Sequence, residues 1–214
     1  ELWTKHFKQV LTVPSSNSSS TSESGEFEIN IPQNEHPIDE STPSLEEVKS
    51  AIKNLKSRKA PGPDGLYIEL FKADVDLVTS HLHPIVSHLW ETGEIPAEMK
   101  EALLIKLPKK GDLSLTKNWR GITLQNSINK VIAKIILDRI APSVEPRLRK
   151  EQAGFRRGKS CVDQINTLRI IVEQCRAQNA SLCLLFIDFE KAFDSLDQQK
   201  MWKILSDYDI PEKI

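Results

Sequence analysis

Asp188 stands where a carboxylate could do chemistry. It closes the apolar run Leu182-Cys-Leu-Leu-Phe-Ile187, which has strand length. Such a run fits a strand buried on both faces, although periodicity alone does not separate it from a short core helix. A charged side chain does not stay buried without a partner, so Asp188 belongs at the lip of the strand. A carboxylate fixed there can hold a hard cation such as Mg²⁺. Phe193 and Asp194 follow. Ser195 with Gln198 then makes a capping box that predicts the start of a helix.

A second chemistry lies upstream. Glu101-Ala-Leu-Leu-Ile-Lys-Leu-Pro108 reads as a strand, Lys109-Lys-Gly-Asp112 as a turn, and Asn118-Trp-Arg-Gly-Ile-Thr-Leu124 as a second strand. Pairing the two makes a β-hairpin with a long basic tip. It brings Lys109, where the first strand ends, to Arg120, where the second begins. An ammonium and a guanidinium at one end of a hairpin suit a polyphosphate, because Arg grips with a planar fork and Lys as a point charge. Neither a Walker motif nor Gly-x-Gly-x-x-Gly is present, which argues against a classical nucleotide fold.

These groups need a scaffold, and 214 residues suffice for one or two domains with a core. The net charge is -1, but its distribution is uneven. Residues 21–50 hold eight acidic residues against one Lys, whereas residues 100–160 hold fifteen Lys or Arg against five Asp or Glu. The basic middle is the footprint of a phosphate-binding surface. No apolar run has the length of a membrane span. Three cysteines without CxxC spacing point to reduced thiols, packed as small core hydrophobes, in an intracellular setting, nuclear or cytoplasmic.

The elements follow in order. Residues 1–13 form an amphipathic helix with Leu2, Trp3, Phe7, Val10 and Leu11 on one face. A Ser-rich acidic linker continues to about residue 43. Ser44 with Glu47 caps a helix that ends at the loop Ser57-Arg-Lys-Ala-Pro-Gly-Pro-Asp-Gly65, stiff and exposed, where Arg58 and Lys59 offer charge to a phosphate backbone. Helices over 66–73, 77–91 and 127–144 follow. On the last, Lys130, Lys134 and Arg139 ride a polar flank. Gln152-Ala-Gly-Phe-Arg-Arg-Gly158 is a glycine-punctuated basic loop. Ser160 with Asp163 caps a further helix with Cys161, Ile165, Leu168, Val172 and Cys175 in a core pattern.

Four stretches now stand in one order: Lys59-Ala-Pro-Gly-Pro-Asp-Gly65; Leu107-Pro-Lys-Lys-Gly111 with Trp119-Arg-Gly-Ile-Thr-Leu124; Gln152-Ala-Gly-Phe-Arg-Arg-Gly158; and Phe186-Ile-Asp-Phe-Glu-Lys-Ala-Phe-Asp194. From about Ser44 to Ile214 the chain resembles the reverse transcriptase domain of non-LTR (LINE-type) retrotransposons. The resemblance implies an α+β fold, an incomplete right-hand polymerase with fingers over 44–179 and the start of the palm over 180–214. Residues 1–43 would lie outside that domain. It implies an RNA-directed DNA polymerase that uses two Mg²⁺ ions, with Mn²⁺ as an alternative, on an RNA template, a DNA primer and dNTPs.

Residue by residue, Asp188 matches the first catalytic and metal-binding carboxylate, with the Phe189 carbonyl beside the metal. Phe193 matches the aromatic residue that rejects a 2′-hydroxyl. Lys109, with Lys110 as its substitute, and Arg120 match the residues that hold the triphosphate. Gly154, Phe155 and Arg156 match a loop supporting the template. Arg58, Lys59, Lys130, Lys134 and Arg157 would grip phosphates largely without reading sequence. Gly121 departs from the family, where Pro is frequent, and is expected to loosen the hairpin. The family's Asp-Asp turn is expected beyond Ile214, so this chain alone is expected to be inactive. The competing reading is a domesticated nucleic-acid-binding or interaction module without catalysis.

Overall fold

The computed structural model describes residues 1–11, 35–189, 192–193 and 196–214. The acidic linker falls mostly outside the described residues, as do Asp194 and Ser195. The described residues form, in order, α1 (Leu2–Leu11), α2 (Leu45–Asn54), α3 (Ile68–Ala73), α4 (Val75–Thr92), α5 (Ala97–Lys100), β1 (Leu103–Pro108), β2 (Trp119–Leu124), α6 (Ser127–Val144), α7 (Cys161–Ala177) and α8 (Gln198–Asp207).

The core is helical. α2 begins at the capping box read from the sequence: Glu47 N–H donates to Ser44 Oγ at 3.3 Å, and Ser44 N–H donates to the Glu47 carboxylate at 2.8 Å. Val48, Ala51 and Ile52 then recur at helical spacing and are fully buried. They meet Phe71 of α3, Leu82 and Val86 of α4, and Val131 and Ile135 of α6. Burying each large side chain contributes about 1.5–3 kcal/mol. α4 stops at Gly93, whose φ of 68° is the left-handed turn that glycine adopts without strain.

The loop after α2 is not a free turn. Gly62 is buried, and a Cβ there would lie within 2.6 Å of the Gln125–Asn126 backbone. Asp64 N–H donates to Asn126 Oδ1 at 3.1 Å, and Ser127 N–H donates to Asp64 Oδ2 at 2.7 Å. Ser127 Oγ donates to the Leu66 carbonyl at 2.6 Å. The start of α6 is thus capped by a carboxylate from a distant loop.

Arg139 does not ride a polar flank. Its side chain is only 6% exposed and lies over the Trp90 ring. Nε donates to Glu47 Oε1 at 2.7 Å, and Nη1 donates to the Asp39 and Ser41 carbonyls at 2.9 and 2.6 Å. Five donors and few carbonyl partners elsewhere make Arg the residue for this buried junction.

Two further expectations are corrected. Leu182–Ile187 is not a buried strand: residues 181–189 have neither strand nor helix and are exposed, Phe186 by 79%. A strand needs backbone partners, and among the described residues the β1–β2 hairpin is the single sheet. α7 carries the predicted pattern but buries none of its residues, and Cys161 and Cys183 are exposed rather than core. α8 is capped by Asp197, which accepts from Gln199 N–H at 3.0 Å, while the capping box read at Ser195 lies outside the described residues.

Gly62→Ala should lower stability by about 3 kcal/mol, because backbone on both sides resists displacement. Urea unfolding should show a lower midpoint at unchanged slope. The Glu47 carboxyl is held below its ordinary pKa, first by the hydrogen bond from Arg139. A depressed carboxyl stabilises the fold above the unfolded value and loses that contribution as pH falls through the folded one. Stability should therefore decline from near the ordinary glutamate pKa of about 4.3 downward. Arg139→Met should cost roughly 2 kcal/mol at pH 7, less than a fully buried pair because Glu47 faces water in part. Its acid-unfolding profile should be shallower.

Candidate nucleotide and template site

The hairpin delivers its two cations together. β1 and β2 pair antiparallel, with Leu107 opposite Arg120 and Pro108 opposite Trp119. The pairing continues one step: Lys109 N–H donates to the Asn118 carbonyl at 2.8 Å. Antiparallel pairs alternate between bonded and non-bonded, so Pro108 falls where no N–H is needed. Lys109 and Arg120 are diagonal neighbours on one face, about 7–8 Å apart along the backbone. Both are exposed, and neither has an ion pair or side-chain hydrogen bond among the described residues. Lys110 is exposed and unpaired in the same sense. The turn is tied by Asn118 Nδ2 donating to the Asp112 carbonyl at 2.6 Å and by Trp119 Nε1 donating to the Leu113 carbonyl at 2.9 Å.

The opposite face of the hairpin carries Leu104, Lys106, Trp119 and Gly121, and α1 lies on it. Trp3 meets Trp119 edge-on at 5.3 Å, and Lys106 Nζ sits 4.2 Å from the Trp3 ring. Lys106 is thereby held by π-faces and is not one of the free cations of the tip.

The other basic residues divide into two groups. Lys130 Nζ donates to the Ala60 carbonyl at 3.2 Å, which ties α6 to the loop bearing Arg58 and Lys59. Lys134 pairs with Asp138 one turn on. Arg156 is 10% exposed at its side chain. Its Nε donates to Glu145 Oε1 at 2.8 Å and its Nη1 to the Arg149 carbonyl at 2.7 Å. Arg147 is buried, donating through Nε to the Ser143 carbonyl at 3.0 Å and through Nη1 to Asp209 at 3.0 Å. These groups hold the fold. Lys59 and Arg157 are exposed and without ion pairs among the described residues. Arg58 has a φ of 59° and gives its backbone N–H to Glu69, while its guanidinium makes no ion pair there.

The loop over residues 152–158 meets the segment that follows Asp188 through aromatic rings. Gly154 is exposed, with open space around its Cα. Phe155 has a φ of 59° and is 96% exposed. Its ring meets Phe193 at 5.8 Å and 90°, an edge-to-face pair. A bulky residue held in the left-handed region is strained, a common mark of functional loops. Asp188 and Phe189 are exposed on the neighbouring segment. Asp188 touches neither Lys109 nor Arg120 by an ion pair or hydrogen bond among the described residues.

No group of three or more His, Cys, Asp or Glu able to hold a metal ion occurs among the described residues. Mg²⁺ requires near-octahedral oxygen donors. One exposed carboxylate and one neighbouring carbonyl do not fit that requirement. A cavity of about 850 Å³ lies between α4 and α6, lined by Leu89, Trp90, Met99, Ile132, Ile136 and Ile214. It contains none of the site residues read from the sequence. No helix of the described residues is long and apolar enough to cross a membrane.

The described residues thus hold a hairpin with a Lys–Arg tip, a docked Pro-Gly loop and a Gly-Phe-Arg loop against a Phe. Residues 107–214 match the family described as reverse transcriptase (RNA-dependent DNA polymerase), and the chain belongs to that family, on its non-LTR retrotransposon branch. It is 33% identical over 77% of its length to the "Transposon TX1 uncharacterized 149 kDa protein" of Xenopus laevis, covering 13% of that protein. It is 32% identical over 79% of its length to the "Putative 115 kDa protein in type-1 retrotransposable element R1DM" of Drosophila melanogaster, covering 17%. It is 28% identical over 89% of its length to the "RNA-directed DNA polymerase from mobile element jockey" of Drosophila funebris, covering 20%. The chain therefore spans a fifth or less of these relatives. The family's fold is the polymerase fingers and palm, with which the helices and small sheet agree.

Sequence reading missed Gly62 and Asn126 as docking residues. The signal was a Gly between two prolines and an Asn just before a helix, but neither names its partner. Arg156→Ala should lower stability by about 1.5–3 kcal/mol, since charged hydrogen bonds are lost. Arg157→Ala should leave the unfolding midpoint unchanged, weaken binding to an RNA–DNA duplex, and reduce the salt slope by about 1.

Proposed function

We propose that the chain forms the fingers, residues 44–179, and the start of the palm, residues 180–214, of an RNA-directed DNA polymerase of a non-LTR retrotransposon. Its parent would add deoxynucleotides to a primer 3′-hydroxyl on an RNA template. The observation that carries this reading is the hairpin register, which puts Lys109 and Arg120 on one face at one end, both without partners among the described residues. Such a pair can grip an incoming triphosphate, Arg120 through its fork and Lys109 as a point charge, with Lys110 beside it.

Phe193 would stand against the sugar and exclude a 2′-hydroxyl by bulk, backed by the Phe155 ring. Arg58, Lys59 and Arg157 would neutralise template and primer phosphates. Lys130 and Arg156 would serve the same surface by holding its loops. Asp188 would be the first catalytic carboxylate. Two Mg²⁺ ions, or Mn²⁺, would supply Lewis-acid chemistry in the whole enzyme. The donors among the described residues do not by themselves fit such ions.

Titration of the 214-residue chain with dTTP tests the reading. Lys109→Ala with Arg120→Ala should weaken binding at least about tenfold, since hydrogen bonds to charged groups contribute about 1.5–3 kcal/mol each. Binding to an RNA–DNA duplex retained alongside no dTTP affinity in the unaltered chain would favour a binding module instead. Primer extension assays on the same chain with Mg²⁺ should give no product. Extension would show that the carboxylate set is sufficient and would overturn the metal-site argument.

A further inference from the structure

We infer that α1 is a buttress of the nucleotide-binding hairpin, and that Trp3, Phe7 and Gly121 are positioning residues for Lys109 and Arg120. The inference rests on the reading of those two cations as triphosphate ligands, and it concerns a segment upstream of residues 107–214, the stretch that matches the family.

A two-stranded hairpin is marginal in water unless something covers it. β1 is exposed along its whole length, and Ile105, Leu107 and Ile122 on the face bearing Lys109 and Arg120 are each at least 37% exposed. α1 covers the reverse face. Phe7 is its one buried residue. A Cβ on Gly121 would lie 2.9 Å from Phe7 Cε1 and 3.0 Å from Leu104 Cδ1, so the missing side chain at 121 is the seat of the Phe7 ring. Trp3 stacks near Phe7 at 6.2 Å and 24° and reaches Trp119 at 5.3 Å. Lys106 Nζ lies 4.2 Å from the Trp3 ring and 5.1 Å from the Trp119 ring. These contacts fall on Lys106, Trp119 and Gly121, which flank Leu107 and Arg120 in the ladder. The helix thus braces the backbone that carries the two cations without touching them. The glycine that departs from the family pattern at 121 thus makes room for the Phe7 ring. It exchanges the stiffness of a proline for the weight of an aromatic ring.

The coupling between Phe7 and position 121 makes the inference testable. Gly121→Ala places a methyl where Phe7 rests. Phe7→Ala empties the seat. The double variant lets the methyl occupy part of that space, so its effect should fall short of the product of the single effects. Two readouts are needed on the 214-residue chain: amide hydrogen exchange, and affinity for inorganic tripolyphosphate. Each single variant should speed exchange across β1 and β2 by roughly tenfold, within the range for overpacking or emptying a packed contact, while α2 and α6 keep their protection. Each should weaken tripolyphosphate binding several-fold, and the double variant should recover part of both. Exchange in β1 and β2 that is unchanged in both single variants would overturn the buttress. So would effects that multiply fully in the double variant. If instead tripolyphosphate affinity ignores Lys109→Ala with Arg120→Ala, the nucleotide reading fails, and α1 is shown to brace the hairpin for something other than a triphosphate.

Discussion

Backbone meets backbone where Gly62 lies on Gln125 and Asn126, and the placement of the candidate site depends on that contact. No side chain fits between the two segments. Because they touch, the Asp64 carboxylate reaches the Ser127 N–H at 2.7 Å and sits at the positive end of α6. One acidic group then serves three purposes. It caps a helix whose first donors have no partners within it, it closes the loop that bears Arg58 and Lys59, and it fixes the strand exit two residues before. α6 carries Val131 and Ile135 into the helical core, so the hairpin is referenced to that core through its own exit. A site on a hairpin tip needs such a reference, since exposed strands supply little rigidity of their own.

The cations of the basic middle are not equivalent. Arg139, Arg147 and Arg156 each have side chains 10% exposed or less and each combine a carboxylate with backbone carbonyls. Lysine could not replace them, because a single ammonium does not span three acceptors spread around a planar fork. The exposed charges without ion pairs among the described residues include Lys109, Lys110 and Arg120 at the hairpin tip and Arg157 on the loop over residues 152–158. The free basic surface is therefore smaller than a charge count over residues 100–160 indicates. Charge totals report on the surface only after internal pairs are subtracted, and internal pairs are long-range features: Glu47 and Arg139 are 92 residues apart.

What was legible in the sequence was local. The Ser44–Glu47 box, the limits of α6 and the Lys109–Arg120 pairing all follow from residues a few positions apart or from one strand register. What was not legible depended on whether a neighbour exists. Leu182–Ile187 has the composition of a buried strand, yet burial requires flanking strands and covering helices, which composition does not provide. α7 has a core pattern in Ile165, Leu168 and Val172, yet Ile165 is 63% exposed for the same reason. A pattern states which residues gain from burial. It does not state that a layer is there to bury them. The Asp64–Ser127 cap was missed because a cap read from sequence is sought within three residues, and this one comes from 63 residues away.

The stretch that carries residues 182–188 shows the same constraint acting on chemistry. It is tethered at both ends. Ala180 N–H donates to the Cys175 carbonyl at 2.8 Å at the exit of α7, and beyond α8 Asp209 pairs with Arg147 at 3.0 Å. Between these anchors Leu185, Phe186 and Ile187 are 84%, 79% and 74% exposed. Each has about 1.5–3 kcal/mol to gain from burial. Paired strands on either side would collect that energy and, in the same step, fix the backbone at Asp188. The apolar run and the carboxylate are thus one device: the first residues supply the free energy that holds the last one still. A carboxylate on an unpaired segment lacks the fixed geometry that a metal with octahedral demands requires. Strands packed beside Asp188 would give it that rigidity, as α1 braces the hairpin behind Lys109 and Arg120 while Gly62 docks the hairpin's base.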